Sequence, residues 1–213
     1  MMSKEEIKKI SEEKGLYLFH FTRLENLPSI YVNGLVPRAD LQEDSYYNDQ
    51  SRLDGFRNAN CLSIGFPNYR MFYKYRDKLY KSESKGCDHW VILFIKRDVL
   101  WEKECAFFTT NAASKSMSMD SLDSKQGAQA LQNMFREIEG IPSRQELALP
   151  EDCSTDPQAE VLVFDVIQPE YIEGVIVYLD QQKEKLKAEF PRFEFIKSQD
   201  FYSARKDYKH WKS

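Results

Sequence analysis

The alternation of hydrophobic and polar residues predicts a strand followed by a helix over residues 16–37. Four large apolar residues, 16–19, run into His20 and Thr22, which is the pattern of a buried strand with a polar end. The next segment repeats apolar residues at helical spacing and stops at Gly34, a residue type that commonly follows a helix C-terminus. We expect Thr22 to cap this helix, with Glu25 as its capping-box partner. His20 and Thr22 then lie beside a helix N-terminus, where backbone N–H groups can meet a ligand.

Further apolar runs and amphipathic segments predict the remaining elements. The predicted strands cover residues 61–66, 90–95, 159–164, 171–179 and 193–196. The predicted helices cover residues 1–15, 68–82, 128–137 and 181–190. Residues 37–60 are polar and aperiodic, and residues 105–157 show little pattern outside one helix. Five or six strands with helices between them indicate an α+β fold with a mixed or antiparallel sheet. Because no linker-like segment divides the chain, we expect a single domain over residues 1–213.

Composition narrows the class of protein. Hydrophobic residues make up 42% of the 213 residues, too large a share for a disordered chain. The sequence lacks an apolar run of the ~20 residues needed to span a bilayer. The charged first 15 residues lack the apolar centre of a signal peptide. We therefore expect a cytoplasmic protein without a membrane partner.

Charge is concentrated in one predicted helix. The net charge of −4 argues against a general polyanion binder, so any nucleic-acid binding must come from a local basic patch. The helix at residues 68–82 is the most basic and most aromatic segment, with Arg70, Lys74, Lys78 and Lys81 on one side. A solvated helix face explains the same pattern.

The cysteines and histidines do not indicate a metal site. The four cysteines are far apart and form no CxxC pair, and the chain has only three histidines. Without ligand spacing of that kind we expect no metal and read the cysteines as reduced thiols.

A few polar residues lie at the ends of predicted strands and could carry chemistry. They are His20, Thr22, Ser63 and Glu160. Taken singly, each also fits a structural role, as a core histidine or a solvated strand end. The sequence contains no GxGxxG, no GxxxxGK[ST] and no GxSxG. Neither a Rossmann dinucleotide site, nor a P-loop, nor a nucleophile elbow is therefore indicated.

Several sequence blocks, spread over residues 16–165, resemble the DarT-type DNA ADP-ribosyltransferase toxins. The first is His20-Phe21-Thr22 with residues 25–30 and Gly34-Leu35. The others are CLSIGFPNYRMFYKYR, WVILFIKRDVLW, CAFFTTNAAS and AEVLVF. Together they resemble the branch that modifies guanine rather than thymine.

The resemblance implies an ADP-ribosyltransferase fold of the His-Tyr-Glu kind, with two facing sheets around an NAD cleft and helical insertions. NAD is then the co-substrate, and no metal is implied. The implied cofactor-binding residues are His20, Phe21, Thr22, Asn26, Ser29 and Tyr73. Tyr75 is the alternative to Tyr73 beside the nicotinamide. Residues 37–60 become the loop that covers NAD, and residues 109–157 become the substrate-recognition region.

The resemblance also assigns catalytic roles. Glu160 is expected to bond the ribose 2′-OH and stabilise the positive charge that develops on the ribose. Arg70 is the basic candidate near NAD and the target base. It comes three residues after Pro67, where the thymine branch has a Pro-Arg-Ser pattern and this chain has Pro67-Asn68-Tyr69. Because arginine is a poor base, we expect it to contact phosphate or pyrophosphate.

Single-stranded DNA is the implied acceptor, because its bases are exposed without the few kcal/mol needed to flip a base from a duplex. Arg70, Lys74 and Lys78 are expected to contact phosphates, and Tyr69 or Tyr80 to stack on bases. The implied protein partner is a DarG-like macrodomain antitoxin that removes ADP-ribose from DNA.

Two other functions stay open at this point. The NAD site does not define the acceptor, so the chain could be a transferase that acts on RNA or protein. It could also be an inactive module that binds NAD or nucleic acid, although the presence of both His20 and Glu160 argues against this.

Overall fold

The structure, a computed structural model, describes residues 4–41, 46 and 54–211. These residues contain seven strands and seven α-helices. The strands are β1 Leu18–Arg23, β2 Asn60–Ile64, β3 Trp90–Ile95, β4 Cys105–Phe108, β5 Glu160–Val163, β6 Ile172–Val177 and β7 Glu194–Lys197. The helices are α1 Lys4–Glu13, α2 Leu27–Asn33, α3 Tyr69–Glu83, α4 Val99–Glu102, α5 Lys115–Ser118, α6 Gly127–Asn133 and α7 Asp180–Glu189.

The strands form one mixed sheet in the order β4-β5-β2-β1-β3-β6-β7. All neighbouring strands are antiparallel except β6 and β7, which are parallel. The α+β prediction with a mixed sheet is therefore confirmed. The two facing sheets are not confirmed, because the pairing between β1 and β2 joins all seven strands.

That junction is the weakest ladder of the sheet. Only Leu18 pairs with Ile64 and Phe19 with Ser63, whereas β1 pairs with β3 along all six of its residues. Beyond Phe19 the described part of the chain contains no ladder between β1 and β2. The sheet therefore opens along this line.

The two faces of β1 contact different parts of the core, because successive strand residues point to opposite faces. Leu18 joins the largest apolar cluster, together with α1, α2, α6 and α7 residues. Phe19 joins a second cluster with Phe72 and Leu79 of α3 and Trp90 of β3. Helix α3 is thereby fixed against the face opposite to α2.

The predicted strands and helices are confirmed to within a few residues, with three differences. Strand β4 was not predicted, because its four residues are all buried and show neither alternation nor length. Helices α4 and α5 were also not predicted, and each has only four residues. The predicted Thr22 cap is wrong. Thr22 lies inside β1, and a 3-10 turn, Leu24–Asn26, separates it from α2.

Within the described residues, cysteines 61, 87, 105 and 153 form no disulfide. Within the described ranges, no helix combines the length and the apolar character needed to cross a membrane.

Helix α2 ends at Gly34 because the next segment must turn sharply into the sheet edge. Gly34 has φ +77° and its N–H donates to the Ile30 carbonyl at 2.9 Å. Leu35 then bridges Ile167 through two backbone hydrogen bonds of 2.8 and 3.0 Å. A Cβ at Gly34 would lie 2.2 Å from the Ile167 carbonyl oxygen. Both the positive φ and the close approach therefore require glycine.

We predict that Gly34→Ala lowers the free energy of unfolding by roughly 3 kcal/mol or more, because backbone strain and a steric clash add. Urea denaturation followed by circular dichroism measures this. Gly140→Ala is the matched control, since Gly140 has φ +81° with nothing within 4 Å of the added Cβ. It should lose only about 1 kcal/mol. Equal losses in the two variants would show that the contact with Ile167 is unimportant.

Candidate active site

A cavity of about 560 Å³ opens where β1 and β2 diverge. We call it the cleft. Its wall is built from β1, α2, β2, α3, residues 110–114 and the start of β5. The expected site residues that line it are His20, Phe21, Thr22, Asn26, Ser29, Lys74 and Glu160. Side chains from four separate sequence regions thus face one space.

His20 bridges the opening between the two strands. Its Nδ1 lies 2.9 Å from the Cys61 carbonyl oxygen in β2. A carbonyl can only accept, so this hydrogen bond requires Nδ1 to carry the proton. In the neutral ring Nε2 is then an acceptor. The bond fixes the ring plane and holds the two strands at a set distance past the end of their ladder.

Thr22 and Asn26 form a second polar group of the cleft. Thr22 is only 4% exposed, and its Oγ1 accepts a hydrogen bond from Asn26 Nδ2 at 2.9 Å. The Asn26 amide also holds residue 46: Nδ2 donates to the Tyr46 carbonyl at 2.6 Å, and Oδ1 accepts from the Tyr46 N–H at 3.2 Å. The segment expected to cover a ligand is thus tied to the cleft at Tyr46. Residues 42–45 and 47–53 of that segment lie outside the described residues.

Glu160 is held by the segment that follows β4. It pairs with Phe108 in the β4–β5 ladder. One carboxylate oxygen accepts from Asn111 Nδ2 at 3.2 Å, and the other accepts from the Ala112 N–H at 3.0 Å. Hydrogen bonds to both oxygens fix the orientation of the carboxylate. A half-buried carboxylate therefore faces the cleft on a rigid strand end.

Helix α3 begins at the cleft and is oriented by its cap. The Asn68 N–H donates to Ser63 Oγ at 3.0 Å, and Asn68 Oδ1 accepts from the Met71 N–H at 3.2 Å. Phe21 stacks on Phe72 with ring centroids 4.7 Å apart. These contacts turn Tyr75 into the cleft wall. Tyr73 is 65% exposed and is not part of that wall, so of the two expected tyrosines Tyr75 is the one that lines the cleft.

Three expected residues lie on α3 but outside the cleft. Arg70, Lys78 and Tyr69 are not among the described residues that line the cleft. Lys78 is exposed, while Arg70 and Tyr69 are half-buried. Burial raises the pKa of Tyr69, and the nearby carboxylate of Asp207 raises it further. Tyr69 therefore lies near the C-terminal segment rather than on a free surface.

The sequence did not single out several polar residues of the cleft wall. They are Arg38, Asp54, Asn60, Asn68, Asn111 and Gln158. Asn111 stands in the block CAFFTTNAAS, directly after an apolar run. A polar residue directly after an apolar run was the signal that could have identified Asn111. Because strand β4 was not predicted, this signal could not be placed relative to the site.

Two arginines hold the segment that leads into Glu160. Arg205 is 6% exposed and forms a two-pronged ion pair with buried Asp207, with N–O distances of 2.7 and 2.6 Å. Its guanidinium also donates to the carbonyls of Ser154 and Thr155 at 2.8 and 2.7 Å. Arg144 donates to the carbonyls of Pro150 and Cys153 and to Thr155 Oγ1. We call residues 150–156 with these two arginines the arginine clamp.

The chain is similar to one protein family over most of its length. The family model described as "ssDNA thymidine ADP-ribosyltransferase, DarT" matches residues 19–208. No curated protein matches the sequence.

Three solved structures share the fold. Thermus sp. 2.9 DarT in complex with ADP-ribosylated ssDNA is 15% identical, with a TM-score of 0.60 over 88% of this chain and 96% of that one. The same Thermus protein in complex with NAD+ is 16% identical, with a TM-score of 0.55 over 88% and 97%. Thermosipho africanus DarTG in complex with ADP-ribose is 18% identical, with a TM-score of 0.59 over 87% of this chain. The chain spans 50% of the length of the Thermosipho protein.

We predict that Arg205→Ala lowers the free energy of unfolding by about 3–5 kcal/mol, because Asp207 would be left as a buried unpaired charge. Chemical denaturation measures the loss. Arg136→Ala is the control, since Arg136 is exposed and its loss should stay within about 0.5 kcal/mol.

A second variant separates the charge from the packing. The double change Arg205→Met with Asp207→Leu removes both charges, so it should be more stable than Arg205→Ala. A loss below about 1 kcal/mol for Arg205→Ala would contradict the role of the clamp in folding.

Proposed function

The chain belongs to the DarT family of single-stranded DNA thymidine ADP-ribosyltransferases, and on that premise we propose that its cleft binds NAD and transfers ADP-ribose to a DNA base. The observation that carries the proposal is the convergence of His20, Asn26 and Glu160 on one cavity between β1 and β2. The proposed acceptor is single-stranded DNA, and nicotinamide is the leaving group.

NAD would lie across the opening of the sheet. The side chains assigned to it are His20, Phe21, Thr22, Asn26, Ser29 and Tyr75. Backbone polar groups of alternate residues in an antiparallel strand point to the same side. Beyond the two residue pairs that join β1 to β2, the backbone groups of β1 that point toward β2 can contact the carboxamide and ribose of NAD. Residues 37–60, held at Tyr46 by Asn26, would cover the cofactor.

Glu160 supplies the electrostatic part of the reaction. The bond between ribose C1′ and the nicotinamide nitrogen breaks, and nicotinamide leaves with the electron pair. A positive charge develops on the ribose, and a fixed carboxylate at the 2′-OH stabilises it. A nitrogen of the base then bonds C1′ and loses its proton to water or to a nearby group. Asn111 and Ala112 hold the carboxylate in place before the substrate arrives.

The DNA strand would enter beside α3. Lys74 lines the cleft, and the exposed Lys78 follows one turn later on the same side of the helix. Arg70 is assigned a phosphate or pyrophosphate contact from the edge of the cleft. Residues 109–157, which carry Asn111 in the cleft wall, form the proposed acceptor-recognition region.

The identity of the base is part of the proposal. The family description names thymidine, whereas the sequence blocks resemble the guanine-modifying branch. We retain guanine as the proposed base, and the mass-spectrometric assay below distinguishes the two.

The proposal includes an antitoxin and a location. Thermosipho africanus DarTG is solved in complex with ADP-ribose, which supports pairing of this toxin with a macrodomain antitoxin that removes ADP-ribose. We place the enzyme in the cytoplasm, where NAD and single-stranded DNA are both present. The four cysteines form no disulfide in the described part of the chain, which agrees with a reducing compartment.

We predict that Glu160→Ala lowers the rate of ADP-ribose transfer by at least about 100-fold, because it removes the charge that stabilises the transition state. Mass spectrometry of single-stranded oligonucleotides incubated with NAD reports the added ADP-ribose and the modified base. Glu173→Ala is the control, because Glu173 is an exposed strand acid on β6. Circular dichroism should show both variants folded.

Transfer by Glu160→Ala at the wild-type rate would remove Glu160 from the mechanism. A wild-type protein that binds NAD but modifies RNA or protein instead of DNA would overturn the acceptor. Modification at thymine would leave the enzyme as proposed and correct the base.

We predict that Arg70→Glu with Lys74→Glu weakens single-stranded DNA binding and flattens its salt dependence. Each phosphate contact on a single strand contributes about 0.7 to the slope of log K against log salt, so two lost contacts reduce it by about 1.4. Fluorescence anisotropy without NAD measures the slope. Lys185→Glu with Lys187→Glu on α7 is the control, since both lysines are exposed there. An unchanged slope in the α3 variant would exclude α3 from the DNA site.

A further inference from the structure

We propose that Tyr73 and Tyr80 form a stacking platform for nucleotides that flank the acceptor base in single-stranded DNA. This inference rests on the proposed function and extends the DNA site from the cleft to the outer face of α3. It assigns to Tyr73 a contact with DNA instead of the nicotinamide.

Both tyrosines are exposed on the same line of the helix. Tyr73 is 65% exposed and Tyr80 is 63% exposed, although both belong to a helix whose Phe72 and Leu79 are fully buried. Residues seven apart on an α-helix lie on one face, about 10.5 Å apart along the axis. Two rings at this spacing can therefore contact different bases of one strand.

Cationic side chains separate the tyrosines from the cleft. At 100° per residue, Lys74 and Lys78 lie between the Tyr73 side of α3 and the Tyr75 side that lines the cleft. Lys81 also lies on this arc, but its ammonium pairs with Asp77 at 2.7 Å. The arc between the tyrosines and the cleft therefore keeps a net positive charge on a chain whose formal net charge is −4.

Single-stranded nucleic acid fits this arrangement through two different contacts. Phosphates carry the charge that complements Lys74 and Lys78. Every base has a π face that stacks on tyrosine without regard to sequence. A protein partner would instead be expected at a larger continuous apolar patch, whereas here the two rings stand beside charged residues. The combination of rings and cations favours a nucleic-acid strand.

The proposed path of the DNA strand predicts that the contribution of the two tyrosines depends on the length of the oligonucleotide. The target base sits in the cleft beside Tyr75, the next phosphates cross Lys74 and Lys78, and only then do bases reach the platform. A very short oligonucleotide can fill the cleft without touching Tyr73 or Tyr80. The contribution of the platform should therefore appear only above a certain strand length.

The test compares Tyr73→Ala with Tyr80→Ala, as a double variant, with wild type on oligonucleotides of 3 and 12 nucleotides that contain the same target base. Anisotropy without NAD gives the dissociation constant, and mass spectrometry gives kcat and KM for transfer. On the long strand the variant should bind at least about 5-fold more weakly, since stacking on one aromatic ring is worth that factor or more. Binding of the short strand and kcat should be unchanged.

Two controls keep the result specific. Tyr73→Trp with Tyr80→Trp preserves the stacking rings and should keep the length-dependent gain. Tyr208→Ala removes a tyrosine that is 42% exposed and lies in the C-terminal 3-10 turn rather than on α3, and it should change the binding of neither oligonucleotide. Circular dichroism of the double alanine variant should match wild type, because both side chains point to solvent.

Equal binding of the long strand by wild type and the double alanine variant would overturn the platform and leave the exposed tyrosines to a protein contact. A wild-type protein that transfers to no oligonucleotide would overturn the proposed function instead. The anisotropy comparison still decides the platform in that case, because it needs no turnover.

Discussion

The point at which β1 and β2 stop pairing determines the rest of the site. Two residue pairs, at Leu18 and Phe19, hold the strands together. From the next residue of β1 onward the strands no longer pair, and the gap between them becomes the cleft. Beyond this point β1 still pairs with β3, but its backbone groups that point toward β2 have no ladder partner there in the described part of the sheet, so a ligand can occupy that side. The hydrogen bond from His20 to the Cys61 carbonyl limits how far the gap can widen. The position of the cavity is therefore set by the sheet, and segments such as residues 110–114 complete its wall.

The alternation of side chains along β1 determines which parts of the structure pack on each face of the strand. Phe19 and Phe21 pack on the face that carries α3, and Thr22 on the other face holds Asn26. The packing of Phe72 against Phe21 and Trp90 sets the rotation of α3 about its own axis. That rotation decides which of its aromatic residues faces the cleft and which faces solvent. One strand thus places the proposed cofactor contacts, the segment proposed to cover them and the surface proposed for DNA.

The sequence predicted the features that depend on local pattern. Buried strands at residues 90–95 and 159–164 were visible as apolar runs, and they placed Glu160 at a strand start. The rotation of α3 was not visible, because Tyr73 and Tyr75 are both aromatic and differ by 200° around the helix. Strand β4 is too short to show a period, so Asn111 had no assigned position. The Arg205 contacts with residues 154 and 155 join parts of the chain that are 51 and 50 residues apart, and no local pattern encodes them.

The same long separation has a consequence during protein synthesis. Residues 154–155 and Glu160 leave the ribosome well before Arg205, Asp207 and Trp211, whose side chains hold one another through Asp207. At a synthesis rate of about 5–20 residues per second, Arg205 is added on the order of several seconds after residues 154–155. A nascent chain therefore carries its key carboxylate before the segment leading into that carboxylate is held by Arg205. The emergence of Arg205, Asp207 and Trp211, rather than the synthesis of β5, therefore sets the moment at which this wall of the cleft is held in place.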